Sequence, residues 1–372
     1  MNNNINKGLD TLRFIFFTKT NWDEPPRLRH QLAHLLVGAG HEIVFFEVPS
    51  YPWDFTKKSS PSPKQIKLTR TKQFLHHKLR LSRLLHFLNA VFEKQQIREK
   101  TLFHGINDQD VIVNFNYDYY FLRDIFTSNR IITVINDNFW CRALGGYEKP
   151  LRYALRRTCE DSNHVLTVST VLQDELARYC NPHIFHPWSG DGYLAPKSNV
   201  TRRTLLFWGY IGERLDIDLL VELSSVISNH SLNYRILLVG PIVGSHSTVD
   251  RLRNNPVIEF AESSTLDELD FSDVLAALIP YRSTPEIDAC ELPNKALQLL
   301  GRGLPLLVSG MPHFVDKPFV YRLSLSSDYL KTLNRIEREF QRLPEEIKLF
   351  VNNNTGEARL KTLLALIGKS ES

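Results

Sequence analysis

The stretch that decides the fold runs from Val274 to Gly310 and reads VLAALIPYRSTPEIDACELPNKALQLLGRGLPLLVSG. Its first six residues, Val274 to Ile279, are apolar without a break, as expected of a strand covered on both faces. Pro280-Tyr281 ends that strand and a polar loop follows. Leu292-Pro293 opens a helix, since proline suits a helix start. Gly301-x-Gly303-x-Pro305 then returns the chain to a second apolar run. Strand, crossover helix and strand in this order make a β-α-β unit, the connection a parallel sheet requires.

The same alternation recurs on either side. Strands are expected at Leu12 to Phe17, Glu42 to Glu47, Asp110 to Phe115, Arg130 to Ile135 and His164 to Val168. Pro25-Pro26 starts the first helix, whose Leu28, Leu32, Leu35 and Leu36 keep helical spacing until Gly38 and Gly40. After residues 187–196 (PWSGDGYLAP) the pattern restarts, with strands at Thr204 to Trp208, Tyr234 to Val239, Val274 to Ile279 and Leu304 to Val308. The reading is α/β, with two Rossmann-like domains facing each other across a cleft. They cover residues 1–190 and 191–345, and a C-terminal helix within 346–372 crosses back to the first. Gly209, Gly212, Gly240 and Pro280 gather at strand ends, where open α/β sheets bind ligands, so the second domain is the better nucleotide-site candidate.

Composition agrees with two such domains. The 372 residues are 42% hydrophobic and 23% charged, an ordinary globular balance too long for one core. No apolar run is long enough to span a bilayer, and MNNNINKGLD has no apolar signal core, so a cytoplasmic location is expected. Cys141, Cys159, Cys180 and Cys290 show neither disulfide nor metal spacing, and reduced thiols with no bound metal are expected. Charge is uneven. Residues 57–100 hold twelve Lys/Arg against Glu93 and Glu99, a local excess of +10 on a chain whose net charge is +4. Within this segment Leu81, Leu84, Leu85, Leu88 and Phe92 share one face of a helix expected over Lys72 to Lys100, with Lys78, Arg80, Arg83 and His86 interspersed. A basic amphipathic helix suits an anionic membrane surface, or packs its leucines into the first domain. No nucleic-acid-binding pattern is present.

Several chemistries lose motif support. There is no G-x-G-x-x-G, no Walker A loop, no H-E-x-x-H and no G-x-S-x-G, so nicotinamide enzymes, P-loop NTPases, zincins and α/β-hydrolases are disfavoured. Pro293, Lys295, Gly303 and Pro305 instead match, in order and spacing, the P-x-K-x-x-E…G-x-P pattern of the donor half of GT-B glycosyltransferases of group 1. The stretch resembles that family, which implies a donor diphosphate at a helix N-terminus beside the ammonium of Lys295. Gln298 stands where the family has a ribose-binding Glu, and its amide oxygen still accepts an O–H. Cys290 stands where many retaining members have a second Glu. Glu291, one position out of register, is a substitute. Gly209-Tyr210-Ile211-Gly212 with Arg214 and Asp216 looks like the family's first phosphate loop, which gives Arg214 a share in neutralising the diphosphate. Tyr281 and Arg282 would meet the base. The ordinary alternatives are a solvated loop arginine and a structural tyrosine.

In the first half, Asn21-Trp22 through Arg27-Leu28-Arg29-His30 and Asn136-Asp137-Asn138-Phe139 resemble the acceptor half of bacterial exopolysaccharide glycosyltransferases, including the xanthan glucuronosyltransferase group. Asp137, past a strand end, is the candidate general base, with Asp23 and Glu24 in reserve; its alternative is an Asx turn or helix cap. The lone His30 and His186 read as structural. The resemblance implies a UDP-sugar donor, no cofactor beyond that substrate, and a lipid-linked or polysaccharide acceptor at the inner face of the membrane. It also implies metal-free stabilisation of the leaving group and, with both family glutamates absent, inversion. A nucleotide-sugar epimerase or hydrolase, and a non-catalytic glycan- or membrane-binding module, are the competing readings.

Overall fold

The computed structural model describes residues 11–24, 27–53, 61–73, 75, 83–142, 148–190, 192–197, 200–243 and 246–368. By internal contacts the chain forms two units, Met1–His186 with Arg359–Ser372, and Pro187–Ala358.

Unit 1 contains β1 (Arg13–Phe17), α1 (Leu28–Gly38), β2 (Glu42–Phe46), β3 (Ile66–Thr69), α2 (Arg83–Phe103), β4 (Val111–Asn114), β5 (Arg130–Ile135), α3 (Lys149–Glu160), β6 (His164–Thr167), α4 (Thr170–Leu176) and β7 (Pro182–Ile184). The strands form one parallel sheet in the order β3-β2-β1-β4-β5-β6-β7. Helices cover both faces, so the central strands are mostly apolar, with buried Asn114 of β4 and Thr133 of β5 hydrogen-bonded to each other. Phe14 to Phe17 and Ile43 to Phe46 are all buried, and the Phe17 and Phe46 rings stack at 4.5 Å. The expected helix start at Pro25-Pro26 lies outside the described residues.

The helix expected over Lys72 to Lys100 is corrected. The helix is described over Arg83–Phe103, and Lys72 is not part of it, forming instead a β-bridge with Ser50. Lys57, Lys58, Lys78, Arg80 and Leu81 lie outside the described residues, as do the side chains of Arg83, Leu84, Leu85 and His86. Of the expected leucine face, the described side chains are Leu88 and Phe92, and Phe92 is half-buried. Leu88 is 54% exposed, and Asn89, Ala90, Glu93 and Ile97 turn inward. The rotation follows from Glu93, which accepts the Tyr119 hydroxyl proton at 2.6 Å and pairs with Lys19 at 3.3 Å beneath the helix. An unpaired carboxylate there would be costly, so this contact fixes the face that packs inward.

Unit 2 contains β8 (Thr204–Trp208), α5 (Ile217–Asn229), β9 (Arg235–Val239), α6 (His246–Arg253), β10 (Ile258–Ala261), β11 (Val274–Pro280), α7 (Pro285–Asp288), α8 (Asn294–Gly301), β12 (Leu306–Ser309), β13 (Val320–Arg322), α9 (Tyr329–Glu339) and α10 (Leu343–Asn353). The last helix, α11 (Gly356–Gly368), runs from this unit into unit 1. The parallel sheet order is β10-β9-β8-β11-β12-β13. Both sheets therefore have the doubly wound order, reversing beside their first strand: between β1 and β4 in unit 1, and between β8 and β11 in unit 2. Four strands were not anticipated, β3, β7, β10 and β13, and they are the four sheet edges. All four cysteines are unbridged.

Candidate nucleotide site

Unit 2 brings its sequence-selected residues together at the β8/β11 reversal. Past β8 the chain continues as a paired extension. Gly209 N–H donates to Val239 C=O, Ile211 N–H to Pro241 C=O, and Val243 N–H back to Ile211 C=O. Gly209 has φ +138°, a conformation that L side chains rarely adopt. A Cβ built on it would lie 2.5 Å from the Lys295 Nζ, so the ammonium occupies the space left by the missing side chain. Gly212 is tight for another reason: its Cβ would meet the Val243 carbonyl oxygen at 2.1 Å.

Lys295 reaches this point from the first turn of α8. Pro293 is the N-cap, extended at φ −64° and ψ 146°, and it supplies no capping side chain, so the first N–H groups of α8 have no side-chain acceptor. At the other end Gly303, with φ +72°, donates its N–H to Leu300 C=O and turns the chain toward β12. The Lys295 ammonium lies 4.6 Å from the Phe207 ring centroid and 5.2 Å from that of Tyr281. Two aromatic faces hold a cation by their quadrupoles without neutralising it. Lys295 has no carboxylate partner among the described residues. Gln298, half-buried, lies three residues further along the same helix face.

The loop after β8 is stitched to the end of β11. Leu215 bridges Tyr281, Asp216 N–H donates to Pro280 C=O, and Arg282 N–H donates to Arg214 C=O at 3.0 Å. Arg214 thus stands beside Tyr281 and Arg282, with its guanidinium 3.7 Å from Glu286 of α7. Tyr281 is buried and its ring faces Lys295, whereas Arg282 is exposed. Asp216 caps α5, accepting the Leu219 N–H at 3.0 Å. Glu291 is half-buried, and its carbonyl accepts the Val315 N–H. Phe207 and Glu286 were not anticipated. The signal for Phe207 was its place beside the last residue of β8, and for Glu286 the acidic start of TPEID.

Asp137 belongs to unit 1. It follows β5 at the carboxyl edge of that sheet, half-buried, in a turn whose Asn138 carbonyl accepts the Cys141 thiol and whose Phe139 ring stacks on Tyr117 at 5.2 Å. Glu24 is occupied by Asn21 N–H at 3.0 Å and by Arg27 at 3.0 Å, and Asp23 is exposed. His30 accepts Arg27 N–H through Nδ1 and donates from Nε2 to Asn21 C=O, both at 3.1 Å, which requires the neutral ring. Burial first of all pushes its pKa below the ordinary histidine value. Among the described residues no three His, Cys, Asp or Glu are grouped to hold a metal ion.

No family model matches the chain, and no curated protein matches it. Solved structures do. Sucrose-phosphate synthase from Thermosynechococcus elongatus superposes with a TM-score of 0.71 at 12% identity, over 96% of this chain and 98% of that one. WaaG, a glycosyltransferase of lipopolysaccharide biosynthesis, gives 0.64 at 12% over 96% and 100%. Anabaena HepE in complex with UDP and glucose gives 0.66 at 9% over 97% and 100%. At these identities the likeness is one of fold: two Rossmann-like units of the GT-B type.

Proposed function

We propose that this GT-B chain is a glycosyltransferase, moving a sugar from a nucleotide-sugar, a UDP-sugar foremost, to a lipid-linked or polysaccharide acceptor of a bacterial surface glycan. One observation carries the reading. The Lys295 ammonium, without a carboxylate partner among the described residues, stands between two aromatic faces beside Gly209 at the β8/β11 reversal. A half-buried cation next to uncapped helical N–H groups is suited to a diphosphate. Anabaena HepE, similar in fold, was solved with UDP and glucose.

In this mechanism the acceptor oxygen forms its bond to the anomeric carbon as the bond from that carbon to the diphosphate oxygen breaks. Lys295 and Arg214 take up the charge that develops on the leaving diphosphate, so no catalytic metal is needed. The backbone at Gly209 and Gly212 borders the phosphates, Gln298 accepts a ribose hydroxyl proton, and Glu291 is its substitute. Tyr281 and Arg282 border the base. Asp137 removes the acceptor proton in an inverting displacement. The acceptor lies at the inner membrane face, to which the basic residues 57–100 draw the protein. No described helix is long and apolar enough to cross a membrane.

The test is incubation with UDP-, GDP- and CMP-sugars, with and without crude lipid-linked glycan, following nucleotide release and sugar interconversion. Acceptor-dependent release is expected. Acceptor-independent conversion would replace the reading by an epimerase or hydrolase, and neither would leave a binding module.

A further inference from the structure

The outward face of α2 carries large apolar side chains that are more than half exposed. Phe87, Leu88 and Val91 are 58%, 54% and 56% exposed, and Leu102 and Phe103, at the end of the same helix, are 83% and 78% exposed. Leu88, Val91, Gln95, Arg98 and Leu102 recur at alternating intervals of three and four, so they form one stripe along the helix. Exposed apolar groups concentrated on one helix mark a contact surface.

The neighbouring loops belong to the same surface. Gln96 of α2 clamps Lys72 by its backbone, accepting its N–H at 2.5 Å and donating to its C=O at 2.6 Å, and Asn89 donates to Leu75 C=O. Lys72 in turn bridges Ser50, one residue before Tyr51, whose ring stacks on that of Trp53 at 5.1 Å with 9° between the planes. Trp53 is 62% exposed. Charge here is one-sided for a structural reason. Glu93 is turned inward to Lys19 and Tyr119, and Glu47 is buried against Arg70 at 2.7 Å. Lys64, Lys67, Lys72 and Arg98 remain exposed, opposed by the exposed Glu99 of α2 and by the exposed Asp124, which pairs with Lys94.

We infer that this face, the α2 stripe with the Tyr51-Trp53 pair and its surrounding lysines, docks onto an anionic lipid surface, inserting Phe87, Leu88 and Val91 between headgroups. Charge decides the occupant. A second copy would bring like-charged lysines together, whereas anionic headgroups neutralise them and the acyl boundary accepts the apolar side chains. Arg98 reaches the headgroups past its own aliphatic stem, as long cationic side chains do at such boundaries. The inference deepens the membrane part of the proposed function by naming the residues that enter the lipid. Its test needs no turnover.

Vesicles of phosphatidylcholine, with and without phosphatidylglycerol, are sedimented with the full-length protein. The variants are Phe87→Gln/Leu88→Gln/Val91→Gln, Leu102→Gln/Phe103→Gln, and Lys64→Gln/Lys67→Gln/Lys72→Gln. The wild type should sediment with anionic vesicles and retain part of its binding in high salt. The α2 triple variant should lose binding roughly tenfold or more, as expected when three half-exposed apolar side chains are removed from the lipid boundary. The lysine variant should lose only the part that depends on anionic lipid. Because the substituted side chains are exposed, melting temperatures should not change, and the Leu102/Phe103 variant gives an independent reading if the triple variant melts early. Unchanged partitioning of both apolar variants, or complete release of the wild type by salt, would overturn the inference. So would a dimer in sedimentation equilibrium that the triple variant disperses, with no vesicle binding. Nucleotide release from a soluble donor, assayed beside it, reports on the glycosyltransferase reading alone.

Discussion

Gly209→Ala separates what the site needs for folding from what it needs for binding. At φ +138° an alanine is strained, which should destabilise unit 2 by about 1–3 kcal/mol, or roughly 2–4 °C per kcal/mol in a unit of this size. The new methyl group would also stand 2.5 Å from Lys295 Nζ, closer than real Cβ contacts come, so the ammonium must retreat by at least half an ångström. Retreat is easy for the end of a flexible side chain and adds little to the folding cost. It does take the cation from the position that the Phe207 and Tyr281 rings define. Losing one hydrogen bond to a charged group is worth about 1.5–3 kcal/mol, so UDP affinity should fall roughly ten- to hundredfold. Urea denaturation and titration calorimetry with UDP measure the two effects separately. In a Lys295→Ala background Gly209→Ala should still lower stability but leave affinity unchanged, because the group it displaces is gone. An equal loss of affinity in both backgrounds, or none in either, would refute the argument that Gly209 acts through Lys295.

Lys295→Ala alone should lower turnover by roughly ten- to a thousandfold, the range for one charge-stabilising donor, whereas Gln298→Ala should mainly raise the donor KM. Steady-state kinetics with the active donor separates the two. Asp137→Asn should suppress transfer by about 10²- to 10⁴-fold with donor affinity intact, and NMR should show an inverted product anomer; full activity removes the base, and a retained anomer removes the mechanism that calls for one. His30 gives a pH dependence of stability. Its folded pKa is depressed by burial, so its contribution is complete above the ordinary histidine pKa. That contribution is lost as pH falls toward the folded pKa, because the unfolded chain then takes up a proton the folded ring refuses. Urea midpoints from about pH 7 to pH 5 should therefore fall less steeply in His30→Gln, and an unchanged slope would reject the assignment.

The parts of the fold legible in the sequence are those that water does not reach. β5 and β8 fall on their expected residues, and the other central strands differ by one or two positions, because strands covered on both faces are written as predominantly apolar runs. The four unread strands, IKLT, PHI, IEFA and VYR, are three or four residues long with polar side chains interleaved. Each pairs on one side only, and β7 begins at Pro182, which is tolerated at an edge and argues against a strand elsewhere. The site divides similarly. The positions of Gly209, Tyr281 and Lys295 at strand and helix ends were readable from local pattern. Phe207 beneath the ammonium and Glu286 beside Arg214 depend on β8 lying next to β11, and strand order is not written locally. For α2 the pattern left open whether its leucines meet lipid or core, and the inward turn of Glu93, buried against Lys19, while Leu88 stays exposed, could not be read from spacing.

The return of α11 to unit 1 sets an order of events during synthesis. Arg359 donates to the His186 carbonyl at 2.9 Å, so the end of the chain closes onto the point where unit 1 was left. Leu363 and Ile367, buried in the finished protein, leave the ribosome only after all of unit 2. At ordinary elongation rates the interval is roughly ten to thirty seconds. Throughout it the N-terminal unit waits without its last helix, with the apolar surface that α11 will cover still open to water and to other nascent chains. A truncation that removes α11 would accordingly harm the half of the protein made first, and synthesis of α11 is the event that lets that half finish folding.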